Sequence, residues 1–209
     1  ENLTDPITNK ETEMTNIAIK NGPTVDKYIG DAIMIFFGDP QSKGTKKDAI
    51  ACVTMALEMK KKLRKLKKDW ERTGLSESLD VRMGIHTDVC TVGNFGSSDR
   101  LDYTVLGNGV NLASRLESMA GANEILISEN THNLVNKDIQ SQFFSEITVK
   151  GKAHPVKAYQ VLGTVSKKVK REIIKASEDG FKLSLDKTKI KNKENIISIL
   201  EDSIDRLLN

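Results

Sequence analysis

The sequence predicts an α+β fold: a ferredoxin-like βαββαβ core whose first strand lies at or before residue 1, followed by a C-terminal helical extension. Three observations predict it. Residues 24–38 set two apolar runs, Tyr28-Ile29 and Ala32 to Phe37, on either side of a single Gly30-Asp31 pair, and dipeptides of this kind are hairpin turns. Helical signals flank that hairpin, in residues 8–21 before it and 46–70 after it. Leu79, Val81, Met83 and Ile85 then alternate with polar residues, the mark of a half-buried strand. Helix, hairpin, helix, strand is the order left in the six-element core when its first strand is set aside.

The elements follow in order. Met14, Ile17 and Ile19 precede Asn21-Gly22-Pro23, a helix and its stop signal. Ile50, Val53, Leu57, Leu63 and Leu66 recur at near-helical spacing, with lysines on the other face. The lysine run in 60–68 reads as the solvated side of that helix rather than a nucleic-acid patch. Gly74 and Ser76 end it. Val89 to Phe95 is a short strand, Asn108 to Met119 a helix, Glu124 to Ile127 a strand, and Glu129 to Val135 a short helix. Phe143 to Val149 and Val156 to Leu162 form a last strand pair around Gly151. Beyond it, Gly180 to Lys193 is polar and reads as loosely ordered. Ile196, Leu200, Ile204 and Leu207 then share one face of an amphipathic helix. The expected division is a main domain over 1–163 and a basic helical extension over 164–209.

Composition excludes several classes. With 209 residues, 38% hydrophobic and 29% charged, the chain can bury a real core. No apolar run approaches the ~20 residues of a membrane span, and no signal-peptide pattern opens the chain. Cys52 and Cys90 lack metal-ligand spacing and read as small buried hydrophobes in a reducing compartment. The expectation is a cytoplasmic domain, not embedded in a membrane. The net charge of +3 sits in residues 164–209, where eleven basic residues face eight acidic ones. So small an excess, with only 5% aromatic residues, argues against nucleic acid as a partner.

Three stretches carry chemistry. The first is the hairpin, with Asp31 at its tip and Lys27 close by; Asp31 suits a metal-bound polyphosphate or simply fills a turn. The second is Met-Gly-Ile-His-Thr-Asp-Val-Cys-Thr-Val-Gly-Asn-Phe-Gly at 83–96, and the third is Asp-Arg-Leu-Asp-Tyr-Thr-Val-Leu-Gly-Asn-Gly-Val-Asn-Leu-Ala-Ser-Arg-Leu-Glu at 99–117. Together, over residues 10–162, they resemble the catalytic domain of class III nucleotide cyclases, the adenylate and guanylate cyclases, whose core is of the ferredoxin-like type expected above.

That resemblance implies an intramolecular reaction, in which the ribose 3′-hydroxyl attacks the α-phosphorus of the same nucleotide and pyrophosphate leaves. It implies two divalent ions per site, with magnesium (or manganese) expected from carboxylate and phosphate ligands. Asp31 matches one of the family's two metal-binding aspartates. The other belongs to a Phe-x-Asp-x-x-Gly-Phe-type strand that is not found here, and Asp5-Pro6 is a poor candidate for a central strand; the expectation is that residues precede residue 1. Asn111 and Arg115, four apart on one helix face, match residues that orient the ribose and stabilise charge at the α-phosphate, a role suited to a guanidinium fork. The plain alternative for Arg115 is a surface pair with Glu117 or Glu129.

Lys27 and Thr104 match the base-selecting positions. Lysine only donates and threonine's hydroxyl can accept, which complements N1 and the N6 amino group of adenine. Guanylate cyclases carry Glu and a small residue there, so ATP is the expected substrate. Lys150, with Lys152 as a stand-in, matches a lysine on the terminal phosphates, and Arg100 loosely matches an arginine of similar role. His86 reads as a satisfied structural histidine. Asp88-Val89 and Pro23 depart from the family's usual glycines without touching the assigned chemistry. In the family the sites form between subunits, so a symmetric homodimer is implied, with room for an upstream sensor domain. The alternatives are a catalytically incomplete cyclase-homology module that dimerises or regulates, and a guanylate cyclase, against which Lys27 and Thr104 argue.

Overall fold

The computed structural model describes residues 4–72, 80–97, 100–148, 155–165, 173–187 and 189–208. They divide into two units, Glu1–Val165 and Ser166–Asn209. In the first unit the order is α1 (Thr4–Asn21), β1 (Thr24–Ile29), β2 (Ala32–Phe36), α2 (Thr45–Arg72), β3 (Met83–Ile85), β4 (Thr91–Ser97), β5 (Arg100–Leu106), α3 (Asn108–Met119), β6 (Ile125–Ser128), α4 (Glu129–Val135), β7 (Ile139–Ile147) and β8 (Val156–Thr164). The fold is mixed α and β, as expected. Asp5 and Pro6 fall in the first turn of α1, where a missing N–H is no loss.

The main sheet has strand order β3-β6-β8-β7, with β3 parallel to β6 and the other neighbours antiparallel. All four residues of β6 are buried, as befits a strand covered on both faces. Ile125 and Ile127 point to one face, where Ala49, Val53 and Ala56 of α2 and Val135 of α4 meet them. Leu126 points to the other, against Leu112, Leu116 and Ala120 at α3. The period of two therefore puts α2 and α4 on one side of the sheet and α3 on the other. Burying each of these large side chains contributes about 2 kcal/mol.

The hairpin β1–β2 is a separate ladder among the described residues, as is β4–β5. Its apolar residues Val25, Ile33 and Ile35 pack on Met14, Ile17 and Ala18 of α1 and Met55, Met59 and Leu63 of α2. The two helices are also clasped at the surface: Lys20 Nζ donates to Glu58 Oε1 at 2.9 Å and Asn21 Nδ2 to Oε2 at 3.2 Å. Those hydrogen bonds, lysine's first, hold the Glu58 carboxyl below its ordinary range. A lowered folded value stabilises above the ordinary glutamate range, and the gain is lost as pH falls through the folded value. Because the pair is exposed, Glu58→Gln should cost under about 1 kcal/mol at neutral pH. In thermal melts the difference from the parent chain should shrink as pH falls through the acid range in which the Glu58 carboxylate takes up its proton.

The second unit corrects one expectation. Within Gly180 to Lys193, expected to be loosely ordered, Phe181–Asp186 is a strand (β10) that pairs with Ile173–Glu178 (β9) in an antiparallel hairpin. Asp179-Gly180 is a turn dipeptide, and Phe181, Leu183 and Leu185 alternate with Lys182 and Ser184, a period-two signal masked by the surrounding charge. The extension is thus hairpin plus helix. Its helix α5 (Lys193–Leu208) is capped by Asn192, whose Oδ1 accepts from the Asn195 N–H at 3.0 Å, and has no buried residue.

Candidate functional site

The β1–β2 turn closes on Ile29 opposite Ala32, with Gly30 at φ 62°. Glycine in the first central position with positive φ is the pattern of a type II′ turn, whose twist matches the strands. Asp31 follows it, exposed, with no hydrogen bond or ion pair among the described residues.

Five residues before Asp31 the strand is irregular. Val25 pairs with Ile35 and Lys27 with Met34, so Asp26 is the extra residue of a β-bulge. Bulges re-aim side chains, and this one turns Asp26 inward until its side chain is 1% exposed. Its carboxylate meets β5: Thr104 Oγ1 donates to Asp26 Oδ2 at 2.6 Å, and Thr104 itself is only 6% exposed. Lys27 Nζ lies 3.5 Å from the other oxygen, Oδ1, with its side chain 39% exposed. Oδ1 is buried and makes no hydrogen bond among the described residues. Lys27 and Thr104 are therefore brought together by the Asp26 carboxylate, which the sequence pattern does not single out.

Further contacts pin β5 to this region. Tyr103 Oη donates to Asp39 Oδ2, a hydrogen bond that holds the phenol above its usual range. Thr24 Oγ1 donates to the Asp39 carbonyl at 2.6 Å.

Asn111 and Arg115 ride on α3, both exposed, one turn apart, while Leu112 and Leu116 beside them are buried in the core. The two acids that offered Arg115 a plain surface role are engaged elsewhere. Arg82 Nε lies 3.1 Å from Glu117 Oε1, and Lys157 Nζ lies 3.5 Å from Glu129 Oε1. Arg115 makes no ion pair among the described residues. The helix sits hard against β3, because a Cβ on Gly84 would fall 2.1 Å from the Ala113 carbonyl and 2.2 Å from the Glu117 N–H nitrogen. Arg100 begins β5 opposite Ser97 and is exposed. Lys150 and its stand-in Lys152 lie outside the described residues. No hydrogen bond or ion pair among the described residues joins Asn111, Arg115, Arg100 or Asp31 to the Lys27–Asp26–Thr104 group.

His86 is enclosed: its Nδ1 shares a hydrogen bond with Ser128 Oγ at 2.7 Å, and its Nε2 lies 3.2 Å from Asp88 Oδ2. Burial pushes the Cys52 thiol up to about 12 and raises Cys90 as well, with Asp88 adding to the latter. Both behave as protonated, inert side chains.

For a metal, no group of three or more His, Cys, Asp or Glu gathers among the described residues. That excludes a zinc-type cage among them. A lone free carboxylate such as Asp31 fits magnesium, which keeps waters and takes one or two carboxylates plus substrate phosphate oxygens. No helix among the described residues is long and apolar enough to cross a membrane.

The family model described as "Adenylate and Guanylate cyclase catalytic domain" matches residues 8–163. The terminal-differentiation-specific adenylate cyclase of Dictyostelium discoideum is 34% identical over 147 residues, 68% of this chain and 7% of that protein. The adenylate cyclase of Anabaena cylindrica is 33% identical over 145 residues, 67% of this chain and 28% of that protein. The chain thus spans well under a third of these curated relatives. The crystal structure of the adenylyl cyclase CyaB from P. aeruginosa superposes with a TM-score of 0.74 at 48% identity, covering 78% of this chain and 84% of that one.

Proposed function

Because the chain belongs to the adenylate and guanylate cyclase catalytic domain family, we propose that it forms the active part of an adenylate cyclase. It converts ATP to 3′,5′-cyclic AMP and pyrophosphate. The observation that carries the choice of base is the meeting of Lys27 and Thr104 at one carboxylate. An ammonium donor beside a hydroxyl that can accept complements N1 and the N6 amino group of adenine.

In this reading the 3′-oxygen bonds to the α-phosphorus as the bond to the β-phosphate bridging oxygen breaks; the hydroxyl proton passes to solvent. Asn111 orients the ribose, and Arg115 grips the α-phosphoryl oxygens through its planar fork of donors. Lys150 and Arg100 hold the terminal phosphates. Asp31 would hold a divalent ion, magnesium or manganese, two ions being expected per site. When bound, such ions supply acidification of the attacking hydroxyl and neutralisation of phosphate charge.

The arrangement calls for two copies of the chain, one contributing Asp31 and the other Lys27, Thr104, Asn111, Arg115 and Lys150. Support comes from apolar side chains left in water on the two hairpins, Tyr28 and Ile29 of β1 and Leu101, Tyr103 and Leu106 of β5. Exposed apolar surface of that kind marks an interaction site, and a self-complementary face gives a two-fold dimer with two sites. We assign the reaction to the cytoplasm, where ATP is supplied.

The test is incubation of the chain with ATP and with GTP, each with magnesium or manganese, followed by chromatography. Cyclic AMP and equimolar pyrophosphate from ATP, in excess over cyclic GMP from GTP, is the expected result. A preference for GTP would make it a guanylate cyclase. No cyclic product from either would leave a dimerising, regulatory module.

A further inference from the structure

Asp26 has no part in the reaction as proposed, yet it is the most deliberately placed polar side chain near the base-selecting pair. It occupies the extra position of a β-bulge, is 1% exposed, accepts from Thr104 at 2.6 Å, and lies 3.5 Å from the Lys27 ammonium. A buried acid in that position carries a desolvation cost, so its retention calls for a purpose. We propose that Asp26 is a specificity-determining positioning residue: its carboxylate fixes the polarity of the Thr104 hydroxyl and tethers Lys27 beside it, so that the site accepts a 6-aminopurine nucleotide and rejects a 6-oxopurine one.

Hydrogen-bond direction decides which base fits. A threonine hydroxyl has one proton and two lone pairs, whereas an ionised carboxylate only accepts. With its proton committed to Asp26 Oδ2, Thr104 can offer a purine nothing but a lone pair. Adenine presents its N6 amino donor to such an acceptor. Guanine and hypoxanthine present a carbonyl oxygen, and acceptor then faces acceptor.

Lys27 alone discriminates weakly, since its flexible ammonium can leave N1, which carries a proton in a 6-oxopurine, and donate to the O6 carbonyl instead. The stronger discrimination therefore rests with the hydroxyl, and the hydroxyl's direction rests with Asp26. Because Asp26 is enclosed, it acts through these two neighbours without touching the base.

This inference rests on the adenylate cyclase reading, so the experiment separates the two. The variants are Asp26→Asn, Thr104→Val and the double replacement, each checked for melting temperature and elution as a dimer. Asparagine keeps the size of the side chain but can donate as well as accept, which frees the Thr104 proton to turn toward a carbonyl. The readout is the ratio of kcat/KM for ATP to that for inosine triphosphate, which carries the 6-oxo group without guanine's extra amino group. Competitive binding of the two nucleotides is measured alongside and needs no turnover. A ratio within one protein cancels any general loss of folded enzyme, so a merely structural role would not move it.

Asp26→Asn should lower the ratio about tenfold, mainly through better use of inosine triphosphate. In the Thr104→Val background the same change should leave the ratio unaltered, because the hydroxyl through which it acts is gone. An unchanged ratio in Asp26→Asn, or an equal fall in both backgrounds, overturns the proposal. If the parent chain binds nucleotide but forms no cyclic product, the cyclase reading fails, and the binding ratio still decides the role of Asp26.

Discussion

Replacing Arg115 with alanine should lower kcat by about 10²- to 10³-fold, the usual loss when one preorganised charge-stabilising donor is removed. Stability should move by no more than about 0.5 kcal/mol, as for other exposed sites. Arg115 is exposed and free of ion pairs among the described residues, whereas Leu112 and Leu116 hold the helix in the core. Product formation and thermal melts on the same preparation check both halves. A large fall in melting temperature with a proportionate loss of activity would make Arg115 structural.

The same variant tests the sharing of sites between subunits. An Asp31→Ala chain and an Arg115→Ala chain should each be nearly silent. In a mixed dimer one site collects both lesions and the other collects neither. Random pairing of equal amounts makes half the dimers mixed, each with one working site of two, so about a quarter of the parent activity should return. Continued silence after exchange of subunits is verified would refute the shared-site arrangement.

How far the sequence reveals this molecule depends on whether a signal is local. The β1–β2 hairpin is readable because its turn chemistry, Gly30-Asp31 between apolar runs, is contained in a few residues. The helix Glu129–Val135 and the amphipathic α2 are readable for the same reason. Strand β5 does not stand out from the sequence as an element. Its Leu101 and Tyr103 are exposed while Thr104 and Val105 are buried, so its alternation does not sort apolar from polar residues as a half-buried strand should. The β9–β10 hairpin was hidden by the charge of the tail.

Asp26 is the instructive omission. Nothing adjacent in sequence says that Val25 and Lys27 face consecutive residues of the partner strand. The bulge exists only in the pairing of two strands, and the hydrogen bond to Thr104 spans seventy-eight positions. An aspartate next to the lysine proposed to select the base is the one cue the sequence offers, and it is weak by itself because aspartate so often serves a turn.

The second large effect is expected at Gly84, and it joins packing to chemistry. On β3 a methyl group at this position would sit 2.1 Å from the Ala113 carbonyl oxygen and 2.2 Å from the Glu117 nitrogen, both backbone atoms of α3. No rotamer can relieve a clash with backbone, so the helix itself must shift away from the strand. Its far anchors resist: Leu112 and Leu116 are at most 1% exposed and pack with Leu126, Ile147 and Ala158. Overpacking of this kind costs about 3 kcal/mol, at the upper end of the usual range. Gly84→Ala should therefore lower the melting temperature markedly, whereas Gly163→Ala, with no atom within 4 Å of the added carbon, should leave it nearly unchanged. A second consequence follows because Asn111 and Arg115 stand on the displaced helix. A shift of about 1 Å at reacting groups can remove 10²-fold of rate, so Gly84→Ala should lose activity at temperatures where it remains folded. If the variant melts early but turns over normally below its transition, α3 is only a structural support, and the assignment of Asn111 and Arg115 to the reacting phosphate is wrong.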